Sequence, residues 1–126
     1  QFIKHLMVGN NEIVLLDMEA GVEHFGRGVD NSVDLILMIV DPSFESLKLT
    51  KKIQQLGESI GKTVFFVLNK VNGQILPTML ESIDDQSKVL AVISEDTEIA
   101  RKGLLGNELM MEIPEIHTLA RKILKQ

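Results

Sequence analysis

Four apolar runs, each followed by polar residues, constrain the fold more than any other feature of this sequence. They lie at residues 13–17, 33–40, 63–68 and 88–93. Continuous apolar runs of this length are typical of strands that are covered on both faces, as in parallel sheets. The chain returns to such a run every 25–30 residues or so, roughly the spacing of strand–helix–strand units. We therefore predict an α/β fold, a mostly parallel sheet with flanking helices.

Helix signals follow the runs. Ser43 is predicted to cap the start of a helix that ends before Gly61, because serine caps helix N-termini and glycine tolerates the left-handed conformation after a helix. The last helix is predicted to face the core through Ile116, Leu119, Ala120 and Ile123. The remaining predicted helices cover residues 75–83, 97–102 and 114–125.

Composition excludes several classes of function. The net charge is −5 with both signs interspersed, which does not favour nucleic-acid binding. The chain has no cysteine, which removes disulfides, zinc–thiolate sites and cysteine catalysis. No apolar run approaches the roughly 20 residues of a membrane-spanning helix. We expect a single, partial domain over residues 1–126, in the cytoplasm, with no membrane or nucleic-acid partner.

Polar residues at the ends of the predicted strands suggest a ligand site. The carboxyl ends of parallel strands meet at one edge of a sheet, and ligands of open α/β sheets bind there. No single one of these residues would be informative, but as a set they resemble a nucleotide site. The set comprises Asp17, Asp41, Asn69, Lys70, Ser94, Glu95 and Asp96.

The segment after the first run carries the most specific motif. Residues 17–28 read DMEAGVEHFGRG. An aspartate at a strand end can hold a metal-bound water, and a glycine such as Gly21 allows a backbone N–H to approach a phosphate closely. The ordinary alternatives are that Asp17 caps the next turn and that Gly21 is a turn glycine.

This motif resembles the switch II region of the CooC-type ATPases, which insert nickel into carbon monoxide dehydrogenase. These enzymes belong to the MinD/ParA and nitrogenase iron-protein group of P-loop ATPases, with a three-layer fold. The resemblance implies that Asp17 orients a water on Mg²⁺ and that Gly21 senses the γ-phosphate of ATP. It further implies that switch or dimer-interface residues lie at Glu19, Glu23, His24 and Arg27.

Two further strand ends match the same group. The resemblance implies that Asn69 bonds the nucleotide base, that the Lys70 stem lies along its ring, and that the loop with Ser94 and Asp96 lies near it. Asn72 stands where a GTP-specific protein has aspartate, which favours adenine. A turn at residues 69–73 is the ordinary alternative. The family often has proline where this chain has Ser94, so the shape of that loop is open.

One element of the group is missing from the sequence. No G-x-x-x-x-G-K-S/T phosphate-binding loop occurs in it, nor does the Cys-x-Cys nickel motif. The chain therefore resembles the C-terminal half of such an ATPase. The resemblance implies an ATP- and Mg²⁺-dependent switch that acts as a homodimer in metallocentre maturation, with a carbon monoxide dehydrogenase-like client. Alone, this half should contain no catalytic residue and be inactive.

Two other interpretations remain. The chain could be a non-enzymatic interaction or regulatory module that keeps the fold. A response-regulator receiver, with Asp17 as phosphate acceptor, is disfavoured because no acidic pair precedes Asp17 and Val71 stands where proline is usual. In the P-loop group the strand before the phosphate loop lies between the Asp17 strand and the 33–40 strand. Without it, we expect the two strands to pair directly or the chain to self-associate.

Overall fold

A computed structural model describes residues 9–18 and 32–126. It contains a sheet of three parallel strands in the order β1-β2-β3. The strands are β1 (Ile36–Val40), β2 (Val64–Val71) and β3 (Val89–Ser94). The helices are α1 (Phe44–Ile60), α2 (Leu76–Glu81), α3 (Thr97–Leu105) and α4 (Pro114–Leu124). The predicted α/β class and the parallel sheet are confirmed, and every predicted helix is present with slightly different bounds.

The central strand β2 explains the layered arrangement, because its side chains alternate between two cores. Phe66 and Leu68 pack on one face with residues of α1 and α2, including Ile53 and Met79. On the opposite face, the partners of Phe65 and Val67 include Leu119 of α4. Side chains of a strand alternate between the two faces of a sheet, so a strand that is apolar throughout requires cover on both. The helices therefore form outer layers on either side of the sheet.

The predicted ends of α1 are both confirmed. The Ser43 hydroxyl accepts a hydrogen bond from the Ser46 N–H at 3.1 Å, which satisfies one of the free donors of the first turn. Gly61 has a φ of 69°, and its N–H donates to the Glu58 carbonyl. Helix α1 therefore starts right after β1 and runs back along the sheet, which allows β2 to pair with β1 in parallel.

The inward face predicted for the last helix is only partly right. Leu119 is buried and Ile123 packs against the same core. Ile116, in contrast, is 46% exposed and Ala120 is exposed. Helix α4 covers β3 at the edge of the sheet, so the stripe of side chains that it buries is narrower than the periodicity predicts.

The strand predicted at residues 13–17 is not present. This stretch has no regular secondary structure, and Ile13 and Leu15 are 61% and 85% exposed. It does not pair with β1, which borders only β2 in the part of the chain that the structure describes. A strand needs a neighbour for its backbone groups, and the strand expected between these two is not in this sequence. The predicted direct pairing is therefore wrong, and self-association stays a prediction.

Candidate functional site

The carboxyl ends of β1 and β2 bring three polar side chains together. The Asn69 amide Nδ2 donates to Asp41 Oδ1 at 3.0 Å. The Lys70 ammonium Nζ donates to Asp41 Oδ2, also at 3.0 Å. Parallel pairing of Val40 with Leu68 places these residues side by side, as the strand-end argument predicts. One carboxylate therefore holds two consecutive residues of the neighbouring strand.

An irregularity in β2 orients these two residues. Leu68 pairs with Val92, and Val71 pairs with Ser94, so β2 has one residue more than β3 between the two pairs. Lys70 takes up this difference with a φ of 55°, a conformation that costs a residue with a Cβ roughly 1–2 kcal/mol. Bulges re-aim side chains next to functional sites. Here the bulge lies directly at the Asn69–Lys70 pair.

The start of α1 completes this end of the sheet. The Ser46 hydroxyl accepts a hydrogen bond from the Asp41 backbone N–H at 3.1 Å, and the Ser43 N–H donates to the Asp41 carbonyl at 2.8 Å. Asp41 is therefore fixed through its backbone by the helix and through its side chain by β2. Surface ion pairs contribute only about 0–1 kcal/mol. The contacts of Asp41 consequently matter more for position than for stability.

A shallow cavity of about 420 Å³ lies beside this cluster. Ile39 and Leu49 contribute apolar surface to it, and its polar lining comprises Asp41, Ser43, Glu45, Ser46 and Asn69. Ile39 is 50% exposed although it belongs to a strand. The cavity thus combines an amide, two carboxylates and apolar surface at the carboxyl edge of the sheet.

The third strand end is joined to the same edge, and one of its polar residues, Asp96, caps the next helix. The Glu95 N–H donates to the Val71 carbonyl at 2.9 Å, which ties the loop after β3 to the end of β2. Asp96 caps α3 by accepting from the N–H groups of Glu98 and Ile99. Ser94 is exposed at the end of β3. The local role that the structure gives Asp96 is therefore that of a helix cap.

Asp17 is exposed in the irregular stretch at residues 12–18 and does not end a strand. The other residues of the predicted switch, Glu19, Gly21, Glu23, His24 and Arg27, lie outside the described residues. No group of three or more histidine or acidic side chains that could hold a metal lies within residues 9–18 and 32–126. The predicted role of Asp17, to orient a water on Mg²⁺, needs only one carboxylate and stays a prediction.

Asp41 is the residue whose importance the sequence understates. Its position at a strand end was a signal, but nothing in the sequence shows that it bonds both Asn69 and Lys70. Asn72 also gains a role, because its Oδ1 accepts from the N–H groups of Gln74 and Ile75 and so shapes the turn into α2. A turn therefore lies beside the site, but it begins at Asn72, because Asn69, Lys70 and Val71 belong to β2.

The described residues contain no helix that is long and apolar enough to cross a membrane. No protein-family model matches the chain. Several individual proteins, however, are similar to it in sequence. An uncharacterized ATP-binding protein of Methanocaldococcus jannaschii is 43% identical over 125 residues, which are 99% of this chain and 50% of that protein. A second such protein of the same organism is 31% identical, over 89% of this chain and 45% of its own length.

The carbon monoxide dehydrogenase accessory protein CooC of Rhodospirillum rubrum is 35% identical over 105 residues. The match covers 82% of this chain and 40% of CooC. The chain spans about half the length of the curated relatives it matches. The resemblance inferred from the motif at residues 17–28 is thereby confirmed over most of the chain. Over most of its length, the chain is therefore similar to CooC and to the ATP-binding proteins of M. jannaschii.

Proposed function

We propose that this chain is the base-binding part of an ATP-driven switch protein of the CooC type. The observation that carries the proposal is the convergence of Asn69 and Lys70 beside an open cavity at the carboxyl edge of a parallel sheet. An asparagine amide donates and accepts at once, which matches a purine edge. The M. jannaschii relatives are named as ATP-binding proteins, which supports ATP as the ligand.

The intact protein would bind Mg·ATP through a phosphate loop that this sequence does not contain. It would hydrolyse ATP as a conformational switch, with Asp17 and Gly21 as switch residues and dimerisation on ATP. Catalysis in such proteins comes mainly from positioning and electrostatics around the phosphates. The 126-residue chain alone is therefore expected to show no ATP turnover. Its similarity to CooC supports a role in metallocentre maturation, with nickel as cargo and a dehydrogenase-like client.

The test is nucleotide binding by the full-length protein, measured by isothermal titration calorimetry with ATP and GTP. ATP is expected to bind more tightly. Asn69→Ala removes the hydrogen bonds to the base, each worth roughly 1 kcal/mol, so ATP binding should weaken about 5- to 30-fold. Asn107→Ala, at an exposed position after α3, is the matched control and should leave the dissociation constant unchanged.

Two results would count against the proposal. A preference for GTP would contradict the adenine assignment, and Asn69→Ala variants that bind ATP normally would exclude this residue from the site. If the full-length protein bound no nucleotide at all, the alternative of a non-enzymatic interaction module would replace the proposal.

A further inference from the structure

Asp41 leaves the Asn69 amide with a defined free edge. An ionised carboxylate has only acceptor atoms, so the Asn69 side chain must turn its nitrogen towards Asp41 Oδ1. One amide hydrogen is used in this contact. The second hydrogen and the amide oxygen remain as one donor and one acceptor for a ligand. Within the described residues no hydrogen bond to this oxygen is found, so this edge is available to a ligand.

The surrounding contacts prevent the amide from turning over. The Lys70 ammonium occupies the other oxygen of Asp41, so the carboxylate is held between two consecutive residues of β2. The Asp41 backbone is in turn bonded to Ser46. If the amide rotated by 180°, its oxygen would face a carboxylate oxygen at about the same 3.0 Å, where two acceptors repel.

We propose that Asp41 is a positioning residue that sets base specificity by fixing the orientation of the Asn69 amide. This inference rests on the proposed nucleotide site. The edge that Asn69 offers matches adenine, whose N7 accepts and whose 6-amino group donates, the same pairing by which asparagine reads adenine elsewhere. A 6-oxo purine presents two acceptors at these positions, so the fixed amide oxygen would face the oxygen of the base.

The experiment compares ATP with inosine triphosphate, which differs at the 6-position and lacks the 2-amino group of guanine. Both are titrated calorimetrically into the full-length protein. The wild type is expected to prefer ATP by roughly tenfold or more, the discrimination of one good bidentate pair. In Asp41→Asn the neighbouring amide can donate or accept, so Asn69 can turn over. The preference is then expected to fall below about threefold.

A control variant and an NMR measurement test whether the change in preference is specific to Asp41. Glu58→Gln removes the same charge from an exposed position near the opposite end of α1 and should keep the wild-type preference. The exchange rate of the Asn69 side-chain amide hydrogens, measured by NMR on the full-length protein, should rise at least severalfold in Asp41→Asn and also in Asp41→Ala. Circular dichroism establishes that each variant is folded.

A wild type that bound ATP and inosine triphosphate equally would overturn the inference, because Asp41 would then set no preference. Binding of ATP with an unchanged preference in Asp41→Asn overturns the role of Asp41 and leaves the proposed nucleotide site standing. An equal loss of preference in Glu58→Gln would attribute the effect to net charge and also overturn it. A wild type that bound neither nucleotide would refute the proposed function, and the specificity argument with it.

Discussion

Gly57 provides the sharpest test of how α1 packs on the sheet. A Cβ atom added to this glycine would lie 2.5 Å from Val64 Cγ2 and 2.9 Å from the Lys62 carbonyl oxygen. The Lys62 N–H donates to the Gly57 carbonyl at 2.9 Å, so the turn that leads into β2 is bound to the helix at this position. Val64 is buried in the core. Neither neighbour can therefore withdraw without moving backbone.

Gly57→Ala is expected to lower the free energy of unfolding. Overpacking of this kind costs about 1–3 kcal/mol. Alanine also raises the free energy of unfolding by roughly 0.5–1 kcal/mol, because glycine is a poor helix residue. The net loss is then roughly 1 kcal/mol, within limits of about 0 and 2.5 kcal/mol. It is measured by urea unfolding followed by far-ultraviolet circular dichroism, since the chain has no tryptophan or tyrosine for fluorescence. The midpoint should fall by roughly 0.5–1 M.

Gly103→Ala in α3 is the matched control. No atom lies within 4 Å of the position of its added Cβ, so the substitution brings only the helix-propensity gain. Its free energy of unfolding should rise by about 0.5–1 kcal/mol. If Gly57→Ala stabilised the protein as much as Gly103→Ala, the close approach of α1 to β2 would be refuted.

Three further predictions concern the other features of the fold. Gln54 joins α1 to the loop after α2, because it donates to the Ser82 carbonyl and accepts from the Asp84 N–H. Gln54→Leu should therefore lower the free energy of unfolding in urea by about 1–3 kcal/mol. An unchanged urea midpoint would contradict this. The side-chain and backbone hydrogen bonds from Ser87 lower the pKa of Asp85, and Ser87→Ala should raise that pKa towards its ordinary value in an NMR titration. Because the pKa of Asp85 is lower in the folded than in the unfolded state, its stabilising effect is present above the unfolded pKa. This effect is lost as pH falls through the folded pKa. The free energies of unfolding of the wild type and of Ser87→Ala should therefore converge in acid. In the described residues β1 pairs only with β2, so its other edge is expected to mediate self-association of the 126-residue chain in light scattering. Ile39→Lys should shift the chain towards monomer, and a strict wild-type monomer would refute this.

Local signals in the sequence predicted most of the elements because they act over a few residues. Ser43 and Gly61 mark the ends of α1 through bonds to their immediate neighbours. The apolar runs at residues 33–40, 63–68 and 88–93 became β1, β2 and β3 because each contributes side chains to the cores on both faces of the sheet. The run at residues 13–17 has the same local character but did not form a strand. Its partner would have to come from elsewhere, and periodicity contains no information about partners.

The sequence alone determined the fold class, the order of the elements and the edge of the sheet where polar residues collect. It also indicated the similarity to CooC, through the motif at residues 17–28. Only the tertiary structure decided how the polar residues at that edge divide their roles. Asp41 and Asn69 are 28 positions apart, and their contact exists because β1 and β2 pair in parallel register. Hydrogen bonds between strand ends depend on that register, whereas caps and apolar runs depend on sequence neighbours.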